Sequence, residues 1–168
     1  MITGASLEPV ARRQVVQLMK RVPLLDQPVV LVVEDEWLVR STWVDILKEA
    51  GFWVLEAGDA DEAFETLRRR GDVNLILTDV EMPGTLDGFE FARLVSQGWR
   101  EVGVLVISGK VCPEVDDLPE SADFARKPLL PGALIEKLEV LLDRHIPLSN
   151  RSQRLTEAAH AKDRDHAH

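Results

Sequence analysis

Two hydrophobic rhythms alternate between residues 28 and 145. Short runs, Val29–Val33, Phe52–Leu55, Val73–Leu77, Val102–Ile107 and Ala122–Ala125, are mostly apolar and bounded by polar or glycine positions. Their length and β-branched content predict strands buried on both faces. Between them lie segments whose apolar residues recur three and four apart, the period of an amphipathic helix. Trp37–Ala50 places Val39, Trp43, Ile46, Leu47 and Ala50 on one face and stops at Gly51. A second helix starts at Asp59, with Glu62 three residues on as in a capping box, and buries Ala60, Ala63, Phe64 and Leu67. Arg68, Arg69 and Arg70 suit the negative end of its dipole, and Gly71 is expected to close it. Asp87–Gln97 gives a third helix with Phe91, Leu94 and Val95 inward. Pro131 suits a first helical turn, and Leu134, Leu138, Leu141 and Leu142 form the face of the last helix.

Apolar strands alternating with amphipathic helices mean a parallel sheet covered on both faces. Five β–α units over about 118 residues fit a five-stranded, doubly wound α/β sheet of flavodoxin-like order 2-1-3-4-5. Strands one and three then meet at the switch point, where ligands sit beyond the C-terminal strand ends. One stretch resists the pattern. Pro113 and Pro119 lie among Glu114, Asp116, Asp117 and Glu120, where the fourth helix belongs, so a short or irregular element is expected. The domain occupies 28–145. Residues 1–27 form an N-terminal extension in which Ser6 can cap a helix striped by Leu7, Val10, Ala11, Leu18 and Met19. That helix either packs on the domain or serves a partner or dimer contact. Residues 146–168 are polar without period and read as a disordered tail.

Composition adds bounds. The 168 residues are 45% hydrophobic and 29% charged, enough for one core. Acids outnumber bases 29 to 20, so a general attraction to nucleic acid or an anionic membrane is not expected. The acidity is local: residues 1–27 sum to +2 and 146–168 to +1, which leaves −12 in 28–145. No apolar run approaches the ~20 residues of a membrane span, and no signal-peptide pattern opens the chain, so a cytoplasmic location is expected. A single cysteine, Cys112, excludes an internal disulfide framework and a cysteine-rich zinc site. The four histidines lie at a helix end or in the tail, without metal-ligand spacing.

The chemistry stands at the strand ends. Strand one ends in Glu34-Asp35-Glu36, strand three in Thr78-Asp79 and strand four in Ser108-Gly109, while Lys127-Pro128 follows strand five. Carboxylates held together repel one another unless a cation joins them. An all-oxygen acidic cluster suits Mg²⁺, which keeps waters and accepts phosphate oxygens. A carboxylate beside such a cation can take up a phosphoryl group as an acyl phosphate, with the metal and a lysine offsetting the charge. Gly109 leaves room for a phosphoryl donor. The bland alternatives are solvated loop acids and surface lysine. Glu36 and Trp37 read as solvated and packing residues.

These residues resemble the receiver domain of two-component response regulators, of the stand-alone, chemotaxis-regulator kind. The resemblance covers about residues 28–145 and rests on Glu34-Asp35, Thr78-Asp79-Val80-Glu81-Met82-Pro83-Gly84, Ser108-Gly109 and Lys127-Pro128, in order and each at a strand end. It implies that Asp79 is the phosphoacceptor. It implies Mg²⁺ bound by Asp35 directly, Glu34 through water, Asp79, and the Glu81 carbonyl. Ser108 corresponds to the switch hydroxyl and Lys127 to the partner of the phosphorylated aspartate. Phe124 stands where the family has a rotameric aromatic, and plain core packing remains its other reading. Two departures stand out: the broken 110–120 segment and a lengthened Gly84–Gly88 loop.

The implied partners are a sensor histidine kinase or phosphotransfer protein as phosphodonor and a downstream protein, with no nucleic acid and no membrane. With 23 residues after 145, no output domain is expected. The resemblance implies a signalling protein in a phosphorelay rather than an enzyme, one that assists only its own phosphorylation and dephosphorylation. The alternative is a receiver-fold module that binds without phosphorylation. Phosphatases using an aspartyl phosphate place a second aspartate where this chain has Glu81, which speaks against that class.

Overall fold

The computed structural model describes residues 27–145 except 83, 85, 115 and 116. The expected helix of the extension and the expected disordered tail lie outside the described residues. Among the described residues nine elements follow in order: β1 Val29–Val33, α1 Trp37–Glu49, β2 Trp53–Ala57, α2 Ala60–Arg69, β3 Leu75–Asp79, α3 Gly88–Gly98, β4 Gly103–Ser108, β5 Ala122–Arg126 and α4 Pro131–His145. The strands form one parallel sheet in the order β2-β1-β3-β4-β5, as the pattern predicts.

Each central strand feeds both faces. Val29, Leu31 and Val33 join Ala63, Leu67, Phe91, Ala92 and Val95 under α2 and α3. Val30 and Val32 join Trp43, Leu47, Leu134, Leu138 and Leu141 under α1 and α4. All five residues of β1, all five of β3 and all six of β4 are buried, which is why these segments read as unbroken apolar runs.

Local chemistry sets the ends. Gly51 ends the first helical segment at φ 94°, in the left-handed region that glycine enters at little cost. At α2, Asp59 accepts a hydrogen bond from the Glu62 N–H at 2.8 Å, and Glu62 reaches back to the Gly58 N–H at 2.7 Å. This is a capping box shifted outward by one residue. Asp87 caps α3 by accepting from Phe89 and Glu90.

Three expectations are corrected. Gly71 does not close α2, because Arg70 already leaves it in extended conformation (φ −122°, ψ 117°). Leu94 is 41% exposed, and Phe89 and Ala92 take the inward places on α3 instead. β3 runs two residues later than its apolar run, since Thr78 and Asp79 continue the pairing with β4. The segment between β4 and β5 is irregular, as its prolines lead one to expect: the described residues between Gly109 and Ser121 contain neither helix nor strand, so four helices accompany the five strands among the described residues. Pro113 and Pro119 withhold N–H groups there, and Asp117 occupies the Glu114 N–H with its own carboxylate at 2.6 Å.

Candidate functional site

The C-terminal ends of β1, β3, β4 and β5 lie side by side, so residues far apart in sequence meet at one edge. Glu34 follows β1 directly and is 3% exposed, while Asp79 ends β3 at 7%. Lys127, just past β5, reaches across to both. Its Nζ stands 2.5 Å from Asp79 Oδ2 and 3.5 Å from Glu34 Oε2. The remaining carboxylate oxygens take backbone donors: Asp79 Oδ1 accepts from the Glu81 N–H and Glu34 Oε1 from the Glu36 N–H, each at 3.3 Å. The Lys127–Pro128 peptide is cis.

Burial sets the electrostatics. It raises the Glu34 pKa above the ordinary carboxylate value; Lys127 opposes this and the neighbouring Asp79 charge adds to it. Burial pulls the Lys127 ammonium down, but its hydrogen bond and charge pairing with Asp79, with help from Glu34, more than offset that pull and leave its pKa raised. Lys127 therefore stays a cation between two acids.

The expected site residues divide into three sets. Glu34, Asp79 and Lys127 are brought into contact. Asp35 and Glu81 lie at the rim with exposed side chains, and Glu81 turns its carboxylate to Lys110 at 3.3 Å. Ser108 is fully buried beside Asp79's strand, but its Oγ accepts from the Lys110 and Val111 N–H groups at 3.2 and 2.9 Å. Phe124 is half-buried, with its ring centroid 6.3 Å from that of Phe89. A Cβ on Gly109 would stand 3.9 Å from the Lys127 Cβ, an ordinary contact, so the space expected there exists. Glu36 and Trp37 are exposed, Trp37 at 66%.

Among the described residues no three Asp, Glu, His or Cys side chains form a cage for a metal ion. The donor set still fits Mg²⁺, which takes one or two carboxylates and completes its shell with water, backbone or phosphate oxygens. Two buried carboxylates share one ammonium, and burial, with the neighbouring Asp79 charge, raises the Glu34 pKa despite Lys127. Sequence reasoning missed two features. Arg40 donates to the Glu34 carbonyl at 2.6 Å, and its signal was a base in a helix's first turn. The Glu81–Lys110 pair depends on the path of two loops and had no sequence signal.

One more contact holds the edge in shape. The N-terminus of α3 lies on the end of β3, where a Cβ on Gly88 would stand 2.8 Å from Val80 Cα and closer still to the Asp79 carbonyl oxygen. Only glycine permits that approach.

Comparison with known proteins agrees with this fold. The response regulator receiver domain family matches residues 30–139. The chain is 30% identical over 133 residues to the aerobic respiration control protein ArcA of Escherichia coli K12, covering 77% of this chain and 54% of ArcA. It is 33% identical over 125 residues to the transcriptional regulatory protein AruR of Pseudomonas aeruginosa, covering 70% and 50%. The response regulator TrrA of Thermotoga maritima, crystallised with Mg²⁺-BeF, superposes at a TM-score of 0.62 with 26% identity, covering 68% of this chain and 99% of TrrA. The chain belongs to the response regulator receiver family. It spans about half the length of ArcA and AruR.

Proposed function

We propose that this chain is the phosphoacceptor of a two-component phosphorelay, with Asp79 as the modified residue. The observation that carries this reading is the buried Glu34–Lys127–Asp79 cluster at the switch point of a doubly wound sheet. An Asp79 oxygen forms a P–O bond as the P–N bond of a phosphohistidine breaks. The imidazole nitrogen keeps the electron pair and takes a proton from solvent. Lys127 exchanges Asp79 for a phosphoryl oxygen and stays charged. Glu34, Asp35, Asp79 and the Glu81 carbonyl are the residues that would hold Mg²⁺, which offsets the charge of the transferring group when bound.

The phosphoryl group adds about −1.5 to −2 charge and three acceptor oxygens. Ser108 then leaves the Lys110 and Val111 N–H groups and donates to one of those oxygens. That frees the start of the 110–121 segment and lets Phe124 repack against Phe89. Flipping a two-state balance from 1:99 to 99:1 takes roughly 5.5 kcal/mol, and two or three charge-assisted hydrogen bonds at ~1.5–3 kcal/mol each supply that scale. The downstream partner is a protein that reads this surface. The reaction is the protein's own modification, so the chain is a signalling component of the cytoplasm rather than an enzyme acting on other substrates. Among the described residues no helix is long and apolar enough to cross a membrane.

The test is incubation of the full chain with a small-molecule phosphodonor and Mg²⁺. One phosphoryl group per chain is expected by intact mass, lost on chelation of Mg²⁺ and absent in Asp79→Asn. Labelling that persists in that variant overturns the site. A partner captured equally by wild type and Asp79→Asn would support the binding module that works without phosphorylation.

A further inference from the structure

The first turn of α1 departs from what its dipole favours. Helix N-termini attract acids and repel bases. Here the first turn contains no acid, the N-cap Glu36 makes no side-chain capping bond, and the fourth helical residue is Arg40.

The Arg40 guanidinium is turned inward, with its side chain 22% exposed. Nη1 donates to the Glu34 carbonyl oxygen at 2.6 Å, and Nε donates to Glu56 Oε2 on β2 at 3.3 Å. The Glu34 N–H donates to the Ala57 carbonyl at 3.1 Å. Both peptide groups of Glu34 are thereby tied to the end of β2, one directly and one through Arg40 and Glu56. The carbonyl that Arg40 holds belongs to the peptide joining Glu34 to Asp35, so its orientation aims the Asp35 backbone and hence its carboxylate. The charges that move Glu34's acidity are Lys127 and Asp79, and Arg40 is not among them. Its influence runs through the backbone.

We propose that Arg40 is a positioning residue that sets the Glu34–Asp35 peptide, and with it the cation-binding geometry of the acidic edge. This rests on the phosphoacceptor reading above. Glutamine lacks both the reach and the charge. Lysine supplies charge but no fork, and cannot hold a carbonyl and a carboxylate at once.

The experiment measures Mg²⁺ affinity by calorimetry for the full chain, Arg40→Gln, Arg40→Lys and Glu56→Gln, alongside urea unfolding of each. Supporting residues around metal ligands typically alter affinity 10–100-fold. Arg40→Gln is expected to weaken Mg²⁺ binding at least about tenfold. Its phosphoryl uptake should slow at limiting Mg²⁺ and recover when Mg²⁺ saturates. Arg40→Lys should fall between, and Glu56→Gln should shift affinity in the same sense by less. Affinity within twofold of wild type in Arg40→Gln overturns the proposal, as does lost stability with affinity unchanged. If Arg40→Gln does not fold, Glu56→Gln decides, and wild-type affinity in that variant overturns the proposal. A wild type that neither binds Mg²⁺ nor takes up phosphoryl would remove the underlying reading as well, a result distinct from a wild type that does both beside an equally competent Arg40→Gln.

Discussion

Glu34 is a residue whose charge costs the fold. Its carboxylate is buried against Asp79, with one lysine shared between them. The raised pKa states that the ionised form is held less well than the neutral one. Glu34→Gln should therefore stabilise the protein in chelator while weakening Mg²⁺ binding, the usual conflict at a functional position. A gain of about 1 kcal/mol corresponds to roughly 3–5 °C in Tm for a domain of this size. Thermal unfolding in chelator reads it, and a lower Tm would contradict the electrostatic picture. Asp72 behaves in the opposite way. Its hydrogen bonds from Arg70, at 2.8 and 2.7 Å, lower its pKa below the ordinary 3.8. A lowered carboxylate pKa stabilises above the unfolded value and loses that stabilisation as pH falls through the folded one. The side chain is half exposed, so the contribution lies within the ~0–1 kcal/mol of surface pairs. Asp72→Asn should lie slightly below wild type in urea unfolding at pH 7 and converge with it on acidification below pH 3.8. A gap that widens in acid would refute the assignment.

Two glycines at the starts of helices show how elements constrain the site differently. Gly88 opens α3 and touches the end of β3, with no space for a methyl group beside Asp79 and Val80. Gly88→Ala is expected to cost about 1–3 kcal/mol by overpacking, and to impair phosphoryl uptake because the displaced backbone carries Asp79. Gly132 lies in the first turn of α4 with nothing within 4 Å of its missing Cβ. Gly132→Ala should stabilise by about 0.4–1 kcal/mol by restricting the unfolded chain and favouring helix. Urea titration of both variants checks the contrast, and equal effects would contradict the packing described. The segment between β4 and β5 makes the same point by absence. With neither helix nor strand among its described residues, its start depends on the Ser108 hydroxyl accepting from Lys110 and Val111. An element held by a few local hydrogen bonds opens more readily than a packed helix.

At the scale of the whole molecule, the −12 of the domain gathers meaning only where strands converge. Binding a cation at the acidic edge should stabilise the native state by about 2.7 kcal/mol when Mg²⁺ is at 100 times its Kd. A Tm that rises with Mg²⁺ in wild type and much less in Asp79→Asn is expected, and indifference to Mg²⁺ in wild type would remove the metal assignment. Much of this architecture was legible along the chain. Val29–Val33 and Val102–Ile107 read as buried strands, Leu134–Leu142 read as a helix face, and the strand-end acids with Lys127 marked the site. Periodicity and composition are local quantities; together with the right-handed crossover rule they led to the doubly wound strand order and to its ligand-binding edge. What needed the third dimension were relations between segments. Leu94 turned outward because Phe89 and Ala92 filled the space against the sheet. Gly71 was not needed because Arg70 left the helix first. Ser108 faces its own loop, and Arg40 grips the carbonyl between two acids, because backbone donors and acceptors must find partners wherever the fold places them. The sequence by itself determined which side chains stand at the strand ends, since an unbroken apolar run bounded by polar residues dictates where a strand buried on both faces can run. Only the tertiary structure decided which of them touch, because hydrogen bonds and ion pairs act over a few ångströms and those separations are set by packing.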